Sequence, residues 1–254
     1  MRLNRYLAAA GFGSRRSCES LITEGKVTIN GKVVLELATT VAPQDHVKVN
    51  GKLARVEQLV YVALHKPRGY VTTLDDELGR RTIEDLLPRS LPRLFHVGRL
   101  DKDSEGLLLL TNDGELSQRL THPRFKVEKE YEVLLDKPFD PALTEKLKRG
   151  IVLEQGRARM EQIRFVAPNH LKVILLQGMK RQIRLMFYDL GYEVKRLCRT
   201  RIGPVLLGHL PAGTHRLLTE REVSQLRQLT DERPSIERMR HPNIEADLKT
   251  RSEG

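Results

Sequence analysis

Apolar and polar positions change period several times along this 254-residue chain, and each change marks a predicted element. Leu3, Tyr6, Leu7 and Ala10 fall at helical spacing, with Gly11 placed to end the helix. Ser14 is a candidate N-cap for a second helix, with Cys18, Leu21 and Ile22 as its apolar stripe and Gly25 as its stop. Val27-Thr28-Ile29 and Val33-Val34 flank Asn30-Gly31, and Val47-Lys48-Val49 and Leu53 flank Asn50-Gly51. Asn-Gly between β-forming residues predicts a tight hairpin, because both residues tolerate positive φ. Residues 1–53 therefore read as one small module, and 54–58 as a short linker.

From Leu59 onward strand-like segments dominate: 59–65, 107–111, 130–135, 160–166 and 171–176. Helix-like stretches lie near 115–121, 141–149, 180–190 and 219–229. Some strands alternate, but Leu107 to Leu110 is unbroken, which predicts a strand buried on both faces. The expected fold class is α+β, with a mixed, mainly antiparallel sheet flanked by helices over residues 59–230. Residues 231–254 are rich in charge and lack periodicity, which predicts a disordered tail.

Charge adds a partner. The chain carries 44 Lys and Arg against 33 Asp and Glu, a net +11, which favours a polyanion. An anionic membrane is the weaker candidate, since no basic amphipathic helix, transmembrane stretch or signal-peptide pattern is present. Cys18 and Cys198 sit in no paired or metal-ligand spacing and read as reduced cysteines of a cytoplasmic protein; no metal is expected. Arg2, Arg5, Arg15, Arg16 and Lys26 fall off the apolar stripes, at the starts of the two front helices and just after the second. Helix dipoles favour anions at N-termini, so this cluster reads either as a phosphate-binding face or as a solvated basic one.

Two further segments carry candidate chemistry. The loop Gly98 to Gly106 holds Asp101 just ahead of the leucine run, a costly place for an acid without a task; it reads either as a reacting carboxylate or as one of several acids that cap and solubilise a strand-end loop. In the stretch 180–190, Ile183, Met186, Phe187 and Leu190 form one apolar face, while Arg181, Arg184 and Tyr188 share another. Those arginines either point into a cleft, where a guanidinium grips a carboxylate or phosphate, or form an exposed basic stripe.

The run His96-Val97-Gly98-Arg99-Leu100-Asp101-x-x-Ser104-x-Gly106, continued through Leu107 to Leu110 and Thr111-Asn112-Asp113-Gly114, closely resembles the signature of ribosomal small-subunit-type pseudouridine synthases. The family usually has threonine where Ser104 stands. His65-Lys66-Pro67-x-Gly69, Lys129-x-Tyr131 and Gly178-x-x-Arg181-Gln182-Ile183-Arg184 are similar to its other motifs, in family order. Gln177 and Leu185 stand where the family often has glutamate and a basic residue. Residues 2–31 resemble an S4 RNA-binding domain. The resemblance implies an enzyme that isomerises uridine to pseudouridine in ribosomal RNA without a cofactor. It assigns Asp101 as the catalytic residue, Arg184 as its ion-pair partner and Tyr131 as the surface on which a flipped base stacks. Arg99, Lys129 and Arg181 would contact RNA, although Arg99 could equally brace the loop. Leu120-Thr121-His122-Pro123-Arg124 is closer to the large-subunit branch, which implies 23S rather than 16S RNA. A monomer is expected. The alternatives are a non-catalytic ribosome-assembly factor with this fold, or a glycosidase-like hydrolase using Asp101 and Asp103 as its acid pair.

Overall fold

The front of the chain folds where its turn chemistry directs. In the computed structural model, which describes residues 1–73, 76 and 78–231, the helices α1 (Leu3–Ala9) and α2 (Arg15–Thr23) precede two hairpins. These are β1 (Val27–Ile29) with β2 (Lys32–Val33), and β3 (Val47–Val49) with β4 (Lys52–Leu53), joined in the order β2-β1-β3-β4. Asn30 and Asn50 take φ of 51° and 47°, the left-handed conformation each turn requires. Ser14 caps α2 by accepting the backbone N–H of Ser17. Leu3, Leu7, Cys18, Ile22, Val27 and Val47 close the module's own core.

The larger region runs β5 (Tyr61–Lys66), β6 (Phe95–Val97), β7 (Glu105–Thr111), α3 (Gly114–Thr121), β8 (Lys129–Leu135), α4 (Thr144–Arg149), β9 (Ile151–Leu153) and β10 (Gly156–Ala158). It continues through β11 (Gln162–Ala167), β12 (His170–Leu175), α5 (Gln182–Asp189), β13 (Val194–Ile202), β14 (Val205–Leu206), β15 (His215–Leu217) and α6 (Glu220–Thr230). Nine of these strands form one sheet of order β11-β12-β8-β13-β7-β5-β15, with β6 also on β7 and β14 on β13. Every pairing in it is antiparallel except β13 with β7. The expected α+β class with a mixed, mainly antiparallel sheet is what is found.

The leucine run lies at the middle of this sheet. Leu108 and Leu110 join Val133, Leu147, Ile183 and Phe187 on one face, so α4 and α5 cover that side. Leu107 and Leu109 join Leu116, Leu120, Ile202 and Leu226 on the other, under α3 and α6. Both faces are therefore buried, as four unbroken leucines require. The predicted tail lies outside the described residues from 232 onward. Asp231, counted in it, is described and accepts an ion pair from Arg119.

One central strand is absent from the sequence-based expectation. β13 reads Val-Lys-Arg-Leu-Cys-Arg-Thr-Arg-Ile, with four cations and no clean alternation, yet it sits between β7 and β8. It touches β7 in parallel only at Glu105 and Gly106, while β6 takes the same edge of β7 from Leu109 to Thr111. Gly106 has φ of 108°, and a Cβ there would collide with the Arg199 backbone. The crossing of β7 and β13 thus requires glycine.

Candidate active site

The Asp101 loop is held from five directions. Thr72 Oγ1 donates to Leu100 O at 2.6 Å and accepts the Leu100 N–H. The Gly69 N–H donates to Lys102 O at 2.7 Å. Lys66, with no exposed surface, donates from Nζ to Ser104 O at 2.7 Å and to Pro67 O at 3.0 Å. Arg184 Nη2 donates to Asp103 O at 3.0 Å and to Ser104 Oγ at 3.4 Å, while its Nη1 donates to Val194 O. Arg199 donates from Nη1 to Arg99 O at 3.4 Å. A loop tied to β5, α5 and β13 keeps a fixed shape without regular structure of its own, as a preorganised site needs.

Asp101 lines a shallow cleft of about 550 Å³ with Arg68, Gly69, Lys102, Asp103, Lys180 and Arg181. Among the described residues its carboxylate accepts no hydrogen bond and no ion pair, and it is half-buried. Asp103 takes the arginines instead. Arg181 Nη1 lies 3.3 Å from Asp103 Oδ1, and Arg184 Nε lies 3.3 Å from Asp103 Oδ2 without hydrogen-bond geometry. The expected pairing of Arg184 with Asp101 is therefore corrected here, because the turn at 101–104 points the second acid at α5. Asp103, which the sequence offers as an acid partner of Asp101, is neutralised by two guanidinium groups.

Charge around the loop is mostly positive and partly buried. Burial lowers the Arg184 pKa, with Asp103 and Asp101 acting against it. Burial pushes Lys66 down to about 8, and Asp101 and Asp103 oppose that shift. Lys129 is likewise pushed down to about 8, by burial and by the Arg199 charge. Its ammonium donates to Val127 O at 3.1 Å, so it bonds back onto its own chain.

Tyr131 lines no part of the cleft and is 8% exposed. Its place is set by register. Tyr131 lies opposite Arg199 on β13, and Arg199 lies opposite Gly106, the last residue of the loop. Two strand spacings, about 10 Å, separate Tyr131 from that end of the loop. Arg99 is exposed. Arg181 takes φ of 55° at the start of α5, a left-handed conformation rare for arginine. Tyr188, on the same predicted face, is 78% exposed and takes no part. Arg2, Arg5, Arg15, Arg16 and Lys26 are exposed, but Arg5 pairs with Glu115 at 2.8 Å and Lys26 with Glu24.

Sequence reasoning placed Lys66 in a motif without giving it a role and passed over Thr72 and Arg199. Lys66 carries a faint signal, a cation at the end of an otherwise apolar strand; Arg199 carries none in a strand crowded with cations. A larger groove of about 1030 Å³, between residues 124–128, 201–204 and the end of α6, is lined by none of Asp101, Tyr131, Arg181 and Arg184. Chemistry decides for the smaller cleft.

The fold and this carboxylate cleft define an RNA-modifying enzyme of the pseudouridine synthase class, and comparison with known proteins agrees. The RNA pseudouridylate synthase family matches residues 60–189 and the S4 domain matches residues 1–47. The chain belongs to the RNA pseudouridine synthase family. An uncharacterised RNA pseudouridine synthase of Aquifex aeolicus is 42% identical over 232 residues, 89% of this chain and 93% of that protein. The ribosomal large subunit pseudouridine synthase B of Bacillus subtilis is 39% identical, covering 91% of this chain and 97% of its own. The dual-specificity RNA pseudouridine synthase RluF of Escherichia coli is 40% identical over 91% of this chain and 80% of its own. A crystal structure of a pseudouridylate synthase superposes with a TM-score of 0.66 at 31% identity, covering 89% of this chain and 99% of that one.

Proposed function

We propose that this protein converts a uridine of large-subunit ribosomal RNA to pseudouridine, with Asp101 as the reacting carboxylate. The observation that carries the reading is the asymmetry between two acids in one turn: Asp103 is bound by Arg181 and Arg184, while Asp101 lines the cleft with no partner among the described residues. The reaction breaks N1–C1′, rotates the uracil and forms C5–C1′; the base loses its C5 proton and gains one on N1. Its atoms balance within the substrate. Asp101 acts at the ribose or the base, and Lys66 and Arg184 set positive charge against the loop that carries it. The target base must leave its stack, at a cost of about a few kcal/mol, and Tyr131, 8% exposed here, is the ring to which the family resemblance assigns its stacking. Residues 1–53 anchor flanking RNA through Arg2, Arg15, Arg16 and Lys26, joined by 54–58 to the catalytic unit 59–230; Arg99, Lys129 and Arg181 lie on the catalytic side.

The large subunit is favoured by the Bacillus subtilis relative's substrate and by the segment Leu120 to Arg124. Two free, buried cysteines fit a reducing compartment, the cytosol. Among the described residues no helix is long and apolar enough to cross a membrane. The test is Asp101→Asn assayed on an unmodified 23S ribosomal RNA transcript. Pseudouridine formation should fall by a factor of about 10⁴ or more, with RNA affinity within about threefold of the parent. Undiminished turnover in a folded variant removes Asp101 from the chemistry.

A further inference from the structure

Among the described residues Arg199 is the largest fully buried side chain, and no ion pair reaches it. Its bonds are to carbonyls. Nε donates to Leu107 O at 2.7 Å, and Nη1 donates to Arg99 O at 3.4 Å. Leu107 falls in the gap on the β7 edge, after β13 stops pairing at Gly106 and before β6 begins at Leu109. The arginine side chain thus supplies the hydrogen bond that a neighbouring strand would otherwise supply. Arg99 lies at the start of the Asp101 loop and Leu107 one residue past its end, so one guanidinium ties the two flanks of that loop together. The same group lies 6.0 Å from the centroid of the Tyr131 ring, and the Arg199 backbone pairs with both Tyr131 and Gly106.

We propose that Arg199 is a positioning residue of the reaction: it fixes the Asp101 loop relative to the Tyr131 ring. This rests on the reading above, with Asp101 reacting and Tyr131 receiving the base. The argument against a merely structural role is energetic. Nη2 is buried with no partner, and an unpaired buried donor costs about 1–3 kcal/mol. A well-packed apolar side chain of similar volume would be at least as stable there. What an apolar side chain lacks is a rigid fork that binds both flanks of the loop at once under the aromatic ring. Arg199 also lies beyond residues 60–189, the segment matched to the synthase family.

The experiment compares full-length Arg199→Met and Arg199→Lys with the parent, on the transcript where the parent forms pseudouridine. Single-turnover rate at saturating RNA, RNA affinity and thermal midpoint are measured together. The expected result for Arg199→Met is a rate about 100-fold lower, the scale of a 1 Å misplacement, with Kd within about threefold. Arg199→Lys keeps the charge and one carbonyl bond and should recover about tenfold of that loss. A folded Arg199→Met with a rate near the parent's, or a loss confined to Kd, overturns the proposal. Should Arg199→Met fail to fold, Arg199→Lys decides alone: a reduced rate at unchanged Kd supports it, and a parental rate overturns it. An Asp101→Asn control that retains activity would instead strike at the functional reading, so the two failures remain distinct.

Discussion

At Lys66 a charge sits where burial alone disfavours it, and that gives the site a pH dependence. Its pKa is lowered from 10.5 to about 8. Between those values the unfolded chain binds more protons than the folded one, so this group makes stability rise as pH climbs from about 8 to 10.5. Activity runs the other way, because the neutral amine no longer sets a positive charge against the loop that carries Asp101. The single-turnover rate should therefore fall above about pH 8. Lys66→Met should flatten that limb at a lower plateau, while Lys129→Met, at the other lysine lowered to about 8, should keep it. The reverse pattern would assign the limb to Lys129. For Asp101 the spacing left a reacting acid and a capping acid equally open, and it was the resemblance to the synthase signature that assigned it a role. The Arg184–Asp103 pairing was not legible. Helical spacing fixes the face an arginine occupies, but not which of two acids in a turn it meets.

At the scale of elements, caps and hairpin turns declared themselves: Ser14 and both Asn-Gly pairs act where local chemistry places them. The leucine run also became the doubly covered strand it predicts. β13 stayed hidden because three of its four cations find their partners far along the chain, while Lys195 pairs with nearby Glu193. Arg196 pairs with Glu105, Arg201 with Glu128 and Glu130, and Arg199 with two carbonyls. No window of nine residues contains those partners. The β7–β13 crossing yields a stability test. Gly106→Ala adds a Cβ against the Arg199 backbone at a φ of 108°, and should cost about 3 kcal/mol or more. Gly208→Ala, at φ of 56° with nothing within 4 Å, should cost about 1 kcal/mol. Urea unfolding of the two variants measures the difference; equal losses would show that the crossing is not tight.

For the whole molecule, the front module meets the larger region through a surface ion pair and bonds to the connecting segment. The Arg5–Glu115 pair continues through Arg119 to Asp231, and the Glu57 N–H donates to Ala9 O at 3.1 Å. Arg5 is therefore spent partly on an internal acid, while Arg15 and Arg16 face solvent. Replacing both with glutamine should make the salt dependence of RNA affinity shallower by about 1–2 in log–log slope, and Arg5→Gln by less. Identical slopes in all three proteins would remove the front module from phosphate binding. The basic excess and the module itself were readable from composition and periodicity. Its contact with the larger region was not, because a surface ion pair between residues 110 apart leaves no local pattern.

The insertion of β13 between β7 and β8 also orders events in time. Strands that are neighbours in the sheet are separated by roughly sixty to ninety residues of chain, so these contacts carry a large loop-closure cost and form slowly. On a ribosome, Asp101 and Tyr131 emerge well before Arg199, and no nascent chain that stops short of residue 199 can close the Asp101 loop or complete the sheet. Catalytic competence then arises late in synthesis, after the RNA-binding module has already left the exit tunnel.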